Sequence, residues 1–83
     1  MITKEMALAT TRQGQLATIL KVIAEINREI ETAAQEGYDG IYTDLHTRKL
    51  DKIERRTIRL YYEALGYKKV RIGKRRCNIE WGE

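Results

Sequence analysis

The sequence contains no proline, no phenylalanine and no serine, and it has one cysteine and one histidine in 83 residues. The absence of serine removes the commonest hydroxyl nucleophile of enzymes. The single cysteine, Cys77, cannot form an internal disulfide, and together with His46 it is too little for the usual zinc sites. A phosphate-binding glycine loop is missing as well. We therefore expect no enzymatic activity, no cofactor and no metal.

Long apolar runs are also missing. No stretch approaches the roughly 20 apolar residues that cross a bilayer, and the first residues lack the pattern of a secretory signal peptide. We therefore expect a cytoplasmic protein with no membrane partner. The length and the composition, 42% hydrophobic and 34% charged, predict a single domain over residues 1–83.

The first part of the chain, about residues 3–36, predicts one long helix that ends at Gly37, with a weak spot near Gly14 where the helix could kink. An apolar stripe follows a spacing of three and four residues, as in a coiled coil. The stripe consists of Leu16, Ile19, Ile23, Ile26 and Ile30. Because this stripe carries more apolar surface than a small sheet covers, we expect residues 1–37 to be an oligomerisation helix whose seam packs on other copies of the chain.

Residues 38–83 predict a basic β-α-β-β unit. The pattern indicates a strand at 41–45, a helix at 48–65 with Thr47 as its N-cap, and a C-terminal hairpin turning at Gly73. The apolar arc of this second helix comprises Leu50, Ile53, Leu60, Tyr61, Ala64 and Leu65. The expected fold class is α+β: a long N-terminal helix, then a small three-stranded sheet covered by one helix.

Positive charge is concentrated in this second unit, since twelve of the sixteen Lys and Arg residues follow Gly40. One group recurs at helical spacing and fills an arc of about 120°. We expect two walls of an anion-binding surface. The first wall comprises Arg48, Lys52, Arg55, Arg56 and Arg59, beside Lys49. The second wall, on the hairpin, comprises Lys69, Arg71, Lys74, Arg75 and Arg76.

A simpler interpretation of the first wall is a solvated helix face, supported by the i,i+4 pairs Asp51–Arg55 and Arg59–Glu63. Tyr62 and Tyr42 have two interpretations as well. Either could stack on a base or nucleotide ring, or could cover the edge of a small core with its hydroxyl in water.

Four segments are characteristic in combination. They read I-T-K-E-M-A at 2–7, I-E-T-A-A-Q-E-G-Y-D-G-I-Y at 30–42, L-G-Y-K-K-V at 65–70 and C-N-I-E-W-G at 77–82. With them the chain resembles a group of small tailed-bacteriophage proteins that have an N-terminal helix and a βαββ tail ending in Ile-x-Trp. The resemblance implies a phage origin and this layout, and it implies no functional residue.

These observations together predict a non-enzymatic, homo-oligomeric phage accessory protein in the host cell cytoplasm. It would bind an anionic partner: nucleic acid, a signalling nucleotide of host defence, or an acidic surface of a host protein. The alternative is a virion-associated structural or decoration protein. A small transcriptional regulator, whose hairpin would enter a groove of DNA, is a third possibility.

Overall fold

The computed structural model describes residues 3–46 and 49–82. It begins with one long helix, α1 (Lys4–Gln35), capped by Thr3, whose hydroxyl oxygen accepts a hydrogen bond from the Met6 amide at 3.2 Å. The predicted N-terminal helix is therefore confirmed. The helix continues through Gly14 without interruption.

The two helices in the described residues end in the same way. Gly37 adopts a positive φ of 89° after α1, and the Tyr38 amide donates back to the Ala33 carbonyl at 2.9 Å. Gly66 adopts a φ of 96° after the second helix, and the Tyr67 amide donates to the Tyr62 carbonyl at 3.3 Å. A glycine takes this conformation without a Cβ clash, which is why each helix stops there.

The second helix, α2 (Lys52–Ala64), begins four residues later than predicted. Its N-cap is Asp51 and not Thr47, which lies with Arg48 outside the described residues. Asp51 and Glu54 form a capping box: the Glu54 amide donates to the Asp51 carboxylate at 2.8 Å, and the Asp51 amide donates to the Glu54 carboxylate at 3.0 Å. The two hydrogen bonds give acceptors to backbone amides at the start of the helix, which explains why the helix begins at this point.

The three strands are β1 (Gly40–Asp44), β2 (Lys69–Ile72) and β3 (Arg76–Glu80). They form an antiparallel sheet in the order β1-β3-β2, so the last strand lies between the first two. The α+β layout with a β-α-β-β unit is confirmed. The hairpin supplies two of the three strands, β2 and β3, and β1 pairs with the other edge of β3.

Both helices cover the same face of the sheet, α1 over β1 and α2 over β2. The expectation that one helix covers the sheet is therefore corrected. The helices also run parallel to each other: Gln15 of α1 hydrogen bonds to Asp51 before α2, and Asn27 further along α1 meets Tyr62 near the end of α2. The core between the two layers consists of Ile19, Val22, Ile26, Ile41, Leu45, Leu50, Ile58, Tyr62, Cys77 and Ile79.

This packing corrects the predicted oligomer seam of α1. Ile19 and Ile26 are buried inside the chain itself, and Ile23 and Ile30 pack against the same core. Of the predicted seam, Leu16 remains outside, with 56% of its surface exposed. The stripe was correctly identified as apolar, but its partner is the sheet of the same chain, because α1 shares the covering of that sheet with α2.

The buried face of α2 also differs from the predicted arc. The helix buries Glu54, Ile58 and Tyr62, whereas most of the predicted apolar arc remains exposed. Those exposed residues are Ile53, Leu60, Tyr61, Ala64 and Leu65. Polar groups decide the orientation, since the Glu54 carboxylate is bound at the N-cap and the Tyr62 hydroxyl is bound to α1.

Candidate anion-binding surface

The first part of the basic surface lies on α2. Lys52, Arg55, Arg56 and Arg59 line an open groove of about 250 Å³ together with Ile72 of the neighbouring β2. Their spacing places them on one side of the helix, between the buried face and the exposed apolar residues. Four of the five residues predicted for the first wall are therefore brought together, and Arg48 lies outside the described residues.

The second part lies at the tip of the β2–β3 hairpin. Gly73 and Arg76 close the turn, with the Gly73 amide donating to the Arg76 carbonyl at 2.7 Å. The two tip residues between them, Lys74 and Arg75, are exposed. With Lys49 from the segment before α2, they border a second open groove of about 420 Å³.

Two backbone hydrogen bonds hold this tip against the rest of the molecule. The Leu50 amide donates to the Lys74 carbonyl at 2.9 Å, and the Leu45 amide donates to the Arg75 carbonyl at 2.6 Å. Since Leu45 and Leu50 are both buried, the hairpin tip is anchored to the core on its backbone side. The side chains of Lys74 and Arg75 are left to face outward.

Lys74 at the hairpin tip lies near one cation of each groove. The pKa of Lys74 is lowered from its ordinary value of 10.5, first by the charge of Lys49, then by the side-chain contact with Lys49 and the charge of Arg55. Arg55 lines the groove on α2 and Lys49 lines the groove at the hairpin, so Lys74 lies in the field of both. Three like charges at one place stabilise a bound anion and oppose each other without one.

The remaining hairpin cations belong to a different face. Lys69 and Arg71 are on the outer side of β2, in register with Glu80 and Asn78 of β3. The Arg76 guanidinium binds the Asp44 carboxylate at 3.0 Å on that same face. The predicted second wall is therefore divided: Lys74 and Arg75 join the grooves, Arg76 borders them while paired with Asp44, and Lys69 and Arg71 face away.

The two tyrosines predicted as candidate stacking residues differ in their exposure to solvent. Tyr62 is completely buried, and burial raises the pKa of its hydroxyl, so the prediction that it stacks on a ligand is wrong. Its ring contacts Tyr61 and Tyr67 edge to face, with centroids 5.0 and 5.5 Å away. Tyr42 is 69% exposed on the outer face of the sheet and remains accessible to a flat ring.

Sequence reasoning placed Lys49 on the helical arc and left it out of the two walls. The structure puts it before the helix and beside the hairpin tip, where it is the main cause of the lowered pKa of Lys74. Only the late start of α2 creates this arrangement, and the Asp51-x-x-Glu54 spacing was the signal that could have located that start.

Cys77 has no part in this surface. Its thiol is buried against the helices, and burial raises its pKa to about 11, so it stays protonated at neutral pH. Within the described residues, no group of three His, Cys, Asp or Glu side chains lies together in a way that could hold a metal ion.

In the parts of the chain that the structure describes, no helix is both long and apolar enough to pass through a bilayer. Comparisons with protein-family models, with curated proteins and with solved structures found no match to this chain.

Proposed function

We propose that this protein is a non-enzymatic bacteriophage accessory protein that acts as a homo-oligomer and binds nucleic acid through its basic surface. The observation that carries the proposal is the gathering of basic side chains around two open grooves, one on α2 and one at the hairpin tip, with Lys74 of the second near enough to Arg55 of the first for the charge of Arg55 to lower the pKa of Lys74. The phage origin rests on the resemblance of the four sequence segments. The acting compartment would be the cytoplasm of the infected cell.

The shape of the surface favours a polymer over a single nucleotide. Both grooves are open, and cations are spread along them over the length from Arg59 to the hairpin tip. Lys52 and Arg59 are separated by about 10 Å along α2 at 1.5 Å per residue, which equals about three steps of 3.4 Å along one strand of DNA. Such a surface would contact successive phosphates, whereas a free nucleotide needs an enclosed pocket.

The test is binding of labelled single-stranded and duplex DNA over a series of salt concentrations. We expect the affinity to fall steeply with salt, since each phosphate contact contributes a slope of about −0.7 to −0.9 in the log–log plot. The double variant Arg55→Ala with Arg59→Ala should reduce that slope by about 1.4 to 1.8. Arg55 loses an exposed hydrogen bond to the Asp51 carbonyl and Arg59 loses an exposed ion pair with Glu63 at 3.5 Å, so the fold should be retained.

A matched control removes the same charge elsewhere. Lys21→Ala with Arg28→Ala takes two exposed cations from α1, away from the grooves, and should leave the salt slope unchanged. Equal loss in both double variants would mean that net charge alone attracts the DNA. A saturable response to mononucleotides or dinucleotides with little dependence on salt would favour a nucleotide-binding protein instead. No binding to any of these at low salt would overturn the proposal.

A virion-associated structural role is the second candidate, favoured by the first turns of α1. Residues 4–14 are all exposed and make a helical arm that a lattice or ring could hold. Many copies per particle in mass spectrometry of purified virions would support this role, and presence in the infected-cell lysate alone would count against it.

A further inference from the structure

The N-terminal arm of α1, residues 4–14, has no buried residue. Eleven residues extend about 16 Å at 1.5 Å per residue. Isolated helices of this length are marginal in water and gain most of their stability from packing. Met6 and Leu8 on the arm are 55% and 46% exposed, so apolar side chains are available for such packing.

The arm continues into an exposed stripe that follows the whole of α1 next to its buried face, on the flank where Asn27 meets Tyr62 of α2. Nine exposed positions recur at intervals of three and four residues, within an arc of about 80°. This outer stripe of α1 consists of Met6, Ala9, Gln13, Leu16, Leu20, Ala24, Asn27, Glu31 and Ala34. It borders the buried stripe of Ile19 and Ile26 and shares no residue with it.

The outer stripe is symmetric about Leu20. Every position has a counterpart at the same number of residues on the other side of Leu20. Three of the four pairs are complementary in size or polarity: Met6 corresponds to Ala34, Leu16 to Ala24 and Gln13 to Asn27. The fourth pairs Ala9 with Glu31. Two antiparallel copies of the helix would therefore place a large residue against a small one at two pairs, and the Gln13 amide beside the Asn27 amide, whose oxygen also accepts from Tyr62.

A second exposed stripe lies on α2, on the third of its surface that neither the core nor the basic groove uses. This outer stripe of α2 consists of Ile53, Thr57, Leu60, Tyr61 and Ala64. Because α2 runs parallel to α1 from Gln15 onward, it flanks the C-terminal half of α1. Exposed apolar surface of this extent marks an interaction site in soluble proteins.

From these observations we infer that two copies of the chain pack through the outer stripes of α1, antiparallel, about a twofold axis at Leu20. The arm of each copy then lies along the C-terminal half of α1 in the other and beside its α2. Met6 reaches the apolar groove of about 500 Å³ that Ala34 lines together with Ile30, Leu65 and Trp81. Methionine is well suited to fill such an irregular groove.

The length of the stripe agrees with a second copy as the occupant. The 32 residues of α1 extend about 48 Å at 1.5 Å per residue, so the outer stripe follows nearly the whole 54 Å length of the Cα trace. The stripe is also self-complementary, as an interface across a twofold axis must be. One surface thus supplies both halves of the contact.

The charges agree with the antiparallel direction as well. The arm carries Lys4, Glu5 and Arg12, and residues 28–36, which it would meet, carry one arginine and three glutamates. The antiparallel arrangement also sets the positive N-terminal end of each helix dipole beside the negative C-terminal end of the other. A parallel pair would put both arms together and both acidic ends together.

This inference specifies the self-association in the proposed function and does not depend on the ligand. The basic groove of α2 lies beside β2, on a different side of the helix from its outer stripe. Each copy would therefore keep its basic surface open to solvent. A monomeric variant should still bind DNA through a single basic surface.

The first experiment measures solution mass by light scattering. We expect about twice the chain mass of 9.7 kDa. Leu16→Glu with Leu20→Glu should lower the mass to that of one chain without changing the circular dichroism, because both side chains are more than half exposed. Tyr42→Glu, at a still more exposed position on the outer face of the sheet, should leave the mass unchanged.

The second experiment tests the direction with single cysteines and a short bis-maleimide. Leu20→Cys should cross-link to its copy at the axis. Met6→Cys alone should not, since the two residues would be about 42 Å apart, whereas Met6→Cys with Ala34→Cys should cross-link. Tyr42→Cys is the matched negative control, and Cys77 is buried in every variant. A monomeric wild-type chain, or efficient cross-linking of Met6→Cys alone, would overturn the inference.

Discussion

The Tyr62 hydroxyl lies between two polar groups of α1. It donates to the Asn27 side chain at 2.7 Å, and the Ile23 carbonyl is 3.2 Å away. The ring below it is completely buried between α1 and Tyr67. A phenolic hydroxyl can be placed at the edge of a core only where such partners exist.

Tyr62→Phe should therefore lower the free energy of unfolding by about 1–2 kcal/mol, because it leaves two acceptors of α1 without their donor. Denaturation by urea at one protein concentration measures the change. Tyr61→Phe removes the hydroxyl of the exposed neighbour and should have little effect. Equal stability of the two variants would show that the contact to Asn27 does not hold the helices together.

Lys74 provides a pH-dependent test of the basic surface. Its pKa is lowered chiefly by Lys49, and the side chain is fully exposed, so low ionic strength is needed to see the effect. A lowered pKa means that the charged form of Lys74 is disfavoured in the free protein. A bound phosphate would stabilise that charged form. DNA affinity should therefore decline as the pH rises through this lowered pKa, below the range where ordinary lysines titrate.

The control for this prediction is Lys74→Arg, which keeps its charge throughout that pH range. We expect the variant to retain its affinity at the alkaline pH where the wild type has lost part of it. Anisotropy titrations at several pH values measure both proteins. Identical pH profiles would show that Lys74 does not contact the bound anion.

At the scale of the elements, the start of α2 depends on the capping box. Asp51→Ala should lower the free energy of unfolding by about 1 kcal/mol, since the Glu54 amide loses its acceptor. Asp51→Asn keeps an acceptor oxygen and should retain most of the stability. This variant distinguishes the effect of the capping hydrogen bond from the effect of the negative charge. Thermal unfolding compares the three proteins. If Asp51→Ala is as stable as the wild type, the helix starts elsewhere.

The helix ends and the strands could be predicted from the sequence because local rules determine them. Gly37 and Gly66 can adopt the positive φ that ends each helix. The alternation of Cys77 and Ile79 with polar residues indicates β3. The insertion of β3 between β1 and β2 is set by long-range pairing, which no local pattern contains.

The orientation of α2 could not be predicted from its apolar spacing. That spacing assigns Ile53, Leu60 and Tyr61 to the core and Glu54 to solvent, as it would for an isolated amphipathic helix. The structure reverses this because Glu54 and Tyr62 each find hydrogen-bond partners that permit burial. A sequence pattern assigns side chains to the core or to solvent by their polarity alone. Whether a polar side chain is buried depends on whether it finds hydrogen-bond partners there.

For the whole molecule, the described surfaces divide into three. The basic grooves lie beside β2 and the hairpin tip, the exposed apolar stripes lie along both helices, and the outer face of the sheet carries Tyr42 and the Asp44–Arg76 ion pair. The concentration of charge could be predicted from the sequence. Its division between the grooves and the outer face could not, because it depends on the strand register of β2 and β3.

The two amides that hold the hairpin tip have one further effect. The Leu50 and Leu45 amides fix the Lys74 and Arg75 carbonyls, so the backbone of this loop loses its conformational entropy when the chain folds. The loop is therefore preorganised for a ligand, and binding does not carry the entropic cost of ordering that backbone. Binding should accordingly be quick, and recognition should depend on the ligand fitting the loop, with little adjustment by the loop itself.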